Sequence, residues 1–153
     1  MRRIALVAML VSVAACGGKQ DTSDWKHHLD VSNEITALWT QIRQWRSEAK
    51  LELDPPASMM QFVRGRTVGD LRTRTCPANH AVPQTCNDVC SIADNICDNA
   101  ERICELATEL GKDDSYGQQK CTSAKASCRE AKQRCCGCAE KTTENLGTGG
   151  GPW

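Results

Sequence analysis

Apolar positions in the first third of the chain fall at helical spacing. Val31, Ile35, Leu38, Ile42, Trp45 and Ala49 recur at intervals of four and three, the stripe of an amphipathic helix. The pattern predicts a helix from Ser23 to Leu51, stopped by Asp54-Pro55-Pro56, because proline lacks the amide that a helix needs and restricts the residue before it. A short helix is expected from Ala57 to Arg64, carrying Met59, Met60, Phe62 and Val63, and the stretch from Gly65 to Val82 reads as irregular connection. A second stripe follows in Val89, Ile92, Ile96, Ile103, Leu106 and Leu110. Leu110-Gly111 ends that helix, and Asp113 or Asp114 can cap the start of another.

Cysteine spacing adds a second periodicity. Cys90, Cys97 and Cys104 are seven apart, as are Cys121, Cys128 and Cys135. Seven residues are two helical turns, so each trio lies along one helical face. The short break between the trios makes the two helices antiparallel neighbours. Facing residues in such a hairpin have numbers with a constant sum, and the pairs Cys104–Cys121, Cys97–Cys128 and Cys90–Cys135 share one sum. The turn which that sum implies falls between Lys112 and Asp113, where the breaker signals independently place it. The expectation is a ladder of three disulfides with rungs roughly 10 Å apart.

The residues between the cysteines agree with this reading. Ala93, Ala100 and Ala107 alternate with cysteine on the first helix, and Ala124 and Ala131 do so on the second. Small residues let the helices approach to the Cα separation of about 4.4–6.8 Å that a disulfide requires. The first helix is acidic (Asp88, Asp94, Asp98, Glu101, Glu105, Glu109) and the second basic (Lys120, Lys125, Arg129, Lys132, Arg134). Exposed ion pairs add only about 0–1 kcal/mol each, whereas a bridge closing so short a loop adds about 3 kcal/mol. Cys86–Cys138 nearly continues the ladder, with Cys138 just past the end of the second helix. Cys136 points about 100° away from Cys135, within reach of Cys76 on a Pro-containing loop. The expected fold class is all-α: a small helical bundle in which a long N-terminal helix packs on a disulfide-laddered antiparallel hairpin over 86–138.

In plan, the segment from Cys86 to Cys138 resembles the twin-cysteine hairpin proteins of the mitochondrial intermembrane space. Six residues separate the cysteines here rather than nine, and the likeness implies architecture alone.

The start of the chain says where such bridges could form. Arg2 and Arg3 precede an apolar run from Ile4 to Val13, too short for a permanent span and therefore read as a signal peptide. Val13-Ala14-Ala15-Cys16 resembles the lipobox of bacterial lipoproteins, an aliphatic residue and two small ones before a cysteine. The resemblance covers the first sixteen residues. It implies a signal peptide over 1–15, cleavage before Cys16, a diacylglyceryl thioether on its sulfur, and acylation (palmitate) of the new amino terminus. Several chains make such an anchor stable where one would not. Gly17 rather than aspartate follows, a pattern that in Gram-negative lipoproteins implies outer-membrane sorting, facing the periplasm or the cell surface. Residues 16–22 would then be a lipidated tether, 23–138 the helical domain and 139–153 a flexible Gly-rich tail.

Eleven cysteines less Cys16 leave ten, an even number in a compartment that permits disulfides. Loss of Arg2 and Arg3 turns nineteen acids against nineteen bases into a slight negative excess, which argues against nucleic acid as a partner. Aromatics make up only 4% of the chain, so the core is modest and needs staples. Cysteines seven apart on a helix cannot share one tetrahedral zinc. Facing thiolates could hold Cu(I), in the manner of cysteine-lined copper-storage bundles. Cys136-Gly137-Cys138 could act in thiol–disulfide exchange. Export favours structural disulfides over both alternatives. His27 and His28 are adjacent and read as solvated, and Arg64, Arg66, Arg72 and Arg74 as charges of a solvated loop. No nucleophile motif, phosphate loop or carboxylate pair stands out, so no catalytic residue, metal or cofactor beyond the lipid is expected. The leading reading is a non-enzymatic, lipid-anchored structural or binding module of the cell envelope, meeting the membrane through its anchor and a protein partner in the envelope.

Overall fold

The computed structural model describes residues 22–73 and 84–147, with side chains from 23–73 and 84–138. Cys16, the signal segment, Cys76 and Arg74 lie outside the described residues. The secondary structure of the described residues is helical throughout, with no strand, in the order α1 (Thr22–Glu48), α2 (Ala57–Phe62), α3 (Val68–Thr73), a 3-10 turn at Gln84–Cys86, α4 (Asn87–Leu110) and α5 (Ser115–Gly147). Short turns join α1 to α2, α2 to α3 and α4 to α5. α4 and α5 form the hairpin, and α5 also packs against α1, α2 and α3. α1 lies antiparallel to α4, with His27 against Glu109 at one end and Gln41 against Asn99 further along. It runs parallel to α5, from Thr36 beside Tyr116 to Arg46 beside Glu130.

Three local differences from the expected elements have simple causes. α1 stops at Glu48 because Lys50 takes a left-handed backbone (φ 59°). The Leu51 amide then donates to Arg46 O and the Lys50 amide to Ser47 O, satisfying the last carbonyls in the Schellman manner. The stretch expected to be irregular contains α3. Thr67 Oγ1 accepts from the Asp70 amide at 3.1 Å and donates to Asp70 Oδ2 at 2.9 Å, a reciprocal cap that starts the helix. Val68 and Leu71 on this helix are buried. Finally, α5 runs to Gly147, so Cys138 sits within it and the tail does not begin at residue 139. Residues 139–146 contain no glycine or proline, and Ala139, Glu140 and Lys141 favour helix.

The buried face of α1 is also rotated from the expected stripe. Val31, Ile35, Trp39, Ile42, Arg46 and Ala49 are buried, whereas Leu38 and Trp45 are only partly covered. The core joins this face to Ile96, Ile103 and Leu106 of α4, Ala126 of α5, and Val63 and Leu71. At the hairpin turn Gly111 adopts φ 97°. Asp114 caps α5, accepting from the Gly117 amide at 2.6 Å. A Cβ on Gly117 would come within 3.2 Å of Ala107 Cα, so glycine is what permits this close approach.

Candidate functional site

The seam between α4 and α5 carries the chain's cysteine chemistry. Its bridges are Cys104–Cys121, Cys97–Cys128, Cys90–Cys135 and Cys86–Cys138, the same four pairs that the spacing gives. The three heptad rungs have Cα separations of 4.6, 4.6 and 4.8 Å. Ala93, Ala100, Ala107, Ala124 and Ala131 fill the seam and are buried. The outer bridge is wider at 5.9 Å, since Cys86 belongs to the 3-10 turn before α4 rather than to its helical register. Cys136 is also a half-cystine; Cys76, its expected partner, lies outside the described residues.

Sulfur in a disulfide is no thiolate, so these bridged pairs have no soft-metal donors to offer while oxidised. Among the described residues no group of three or more His, Cys, Asp or Glu side chains is placed to hold a metal ion. Access differs along the ladder. Cys97, Cys128 and Cys86 are fully buried, and Cys135 and Cys136 nearly so. Cys104 is half-buried and lines an open groove of about 410 Å³ together with Thr67, Val68, Glu101, Glu105 and Lys125. The Cys104–Cys121 bridge therefore faces a groove. Burial pushes the Lys125 ammonium below the usual lysine range.

The electrostatic halves of the hairpin meet less directly than their sequences suggest. Lys132 pairs with Asp94 across the seam, but Asp98 is taken by Arg72 of α3. Arg102, a base on the acidic helix, bonds Glu34 of α1 at 2.9 Å and lies 3.4 Å from Glu105. The hydrogen bond to Glu34 is the main cause of its raised pKa. The adjacent histidines are not simply solvated: His27 Nε2 lies 2.9 Å from Glu109, and His28 Nε2 lies 3.0 Å from Asp114. Both tie α1 to the turn end of the hairpin. Of the arginine patch, Arg66 stacks on Phe62 at 4.3 Å from the ring centroid, and Arg129 of α5 approaches the same ring at 4.9 Å.

The most constrained polar group is Arg46, which the hydrophobic pattern passes over. Its side chain is fully buried; Nε donates to Glu52 O at 2.7 Å and Nη1 to Glu130 Oε2 at 2.8 Å. It thereby fixes the end of α1 against α5. A lone arginine on an apolar stripe was the available signal, for such a charge needs a partner once buried.

No protein-family model matches the chain, and no curated protein or solved structure matches it.

Proposed function

We propose that this chain is a lipid-anchored protein of the bacterial cell envelope, a non-enzymatic scaffold or binding module held on the membrane through Cys16. The observation that carries the reading is the order Arg2-Arg3, an apolar run, then Val13-Ala14-Ala15-Cys16. The ladder supports it, since four bridges in one small domain belong to an oxidising compartment. Among the described residues no helix is long and apolar enough to cross a membrane. Gly17 after the anchor favours outer-membrane sorting. The stapled bundle offers a rigid surface on a tether, suited to holding or binding a partner in the envelope rather than to turning over a substrate.

The test is the mass of the protein purified from the envelope without reductant, intact and peptide-mapped. The expected chain starts at Cys16, carries diacylglyceryl and acyl groups, and has no free thiols. An uncleaved or unlipidated chain would refute the anchor. Free thiols at Cys90, Cys97, Cys104, Cys121, Cys128 and Cys135, or bound copper, would make metal handling the better reading.

A further inference from the structure

The start of α1 projects beyond the core. Every residue from Ser23 to Asp30 is exposed, and burial begins only at Val31. Eight helical residues make an overhang of about 12 Å. Within it stand two of the four large apolar side chains exposed among the described residues, Trp25 at 69% and Leu29 at 43% exposure. Four residues apart, they share one helical face. His27 and His28 on this overhang contact Glu109 and Asp114. Those contacts place the overhang at the turn end of the hairpin and leave the Trp25–Leu29 face uncovered.

The chain before the overhang limits what can cover that face. Only residues 17–21 separate Cys16 from α1, and five residues reach at most about 18 Å when extended. With Cys16 in a bilayer, this tether keeps Trp25 within reach of its surface. Tryptophan favours that layer, where its apolar ring and indole N–H both find suitable surroundings. Acidic and basic residues alternate nearby (Asp24, Lys26, Asp30), so the contact draws on apolar burial rather than on attraction to anionic lipid.

We propose that the first two turns of α1 form a membrane foot, with Trp25 and Leu29 seated among the headgroups of the bilayer that holds Cys16. This rests on the lipid-anchor reading. The bundle then stands with its α4–α5 turn toward the lipid and the Cys86–Cys138 bridge away from it. α5, with 33 residues, rises about 50 Å along its own length.

The experiment uses the full lipidated protein in phosphatidylcholine vesicles, with and without brominated acyl chains, reading tryptophan fluorescence. Brominated lipid should quench the wild type. Trp25→Phe should lose the quenched component, whereas Trp153→Phe should retain it. Circular dichroism checks that each variant is folded. Vesicle-bound wild type that is not quenched, or equal quenching in Trp25→Phe, overturns the foot while leaving the anchor standing. Mass spectrometry of the same sample reads the anchor separately; a chain with no lipid on Cys16 overturns the anchor, and the foot with it.

Discussion

At the scale of single residues, the Arg46–Glu130 pair is the most sensitive contact. Arg46 is fully buried and Glu130 largely covered, so removing the acid strands a charge away from water. Glu130→Ala should cost about 3 kcal/mol, read as a shift in the urea midpoint. The double variant Arg46→Met with Glu130→Ala should recover much of that loss, because an apolar side chain needs no partner. Lys125 offers a pH-dependent test. Its folded pKa is lowered by burial, so the unfolded chain binds more protons between that value and the ordinary lysine value of 10.5. Stability from this group therefore rises with pH across that window. Lys125→Met should melt higher than wild type at neutral pH, and the gap should close as pH approaches 10.5. At Lys50 the left-handed backbone disfavours a side chain. Lys50→Gly should stabilise by about 1 kcal/mol in a denaturant titration, and no gain would argue against the left-handed turn.

At the scale of elements, the hairpin is a nested ladder, and nesting changes what each bridge contributes. Cys90–Cys135 spans a sequence separation of 45, but Cys104–Cys121 spans only 17. Once the inner rung has formed, each next heptad rung closes only the residues between neighbouring rungs, roughly fifteen. Chain entropy then assigns each of them about 3 kcal/mol, largely independent of total sequence separation. Replacing Cys97 and Cys128 together by alanine should cost about that much in denaturation under oxidising conditions. A cost near zero would mean that the adjacent rungs already hold the register. The short α3 shows a different balance: six residues cannot sustain a helix alone, and its Thr67–Asp70 cap and buried Val68 and Leu71 hold it.

At the scale of the whole molecule, the apolar core is thin and the staples supply what it lacks. Much of the interior is alanine and cysteine, side chains that bury little area each. Four bridges at about 3 kcal/mol apiece rival the total stability of an ordinary domain. Fully reduced protein should therefore lose its cooperative thermal transition, followed by circular dichroism with and without reductant. A cooperative melt that survived reduction would show that packing alone suffices. The same staples leave α1, like the short α2 and α3, without a described bridge; α1 is docked by its buried stripe, by Arg46 and by the histidine contacts at its start.

What the sequence determined by itself was whatever depends on spacing along one helix. Heptad cysteines, alternating alanines and the Gly111 break fix a face, a turn and hence a pairing, because an antiparallel hairpin has one register once its turn is set. What tertiary structure alone decided was which side of α1 faces inward. Leu38 and Trp45 fit an apolar stripe as well as Trp39 does, and periodicity cannot foresee that Arg46 is buried when its partner lies 84 positions away in Glu130. The capping pair at Thr67 and Asp70 was legible in the residues, but burial of Val68 and Leu71 is what sustains that helix. The histidine contacts likewise exist only because α1 lies beside the hairpin turn. Local periodicity sets which residues share a face; packing against a distant element sets what that face meets.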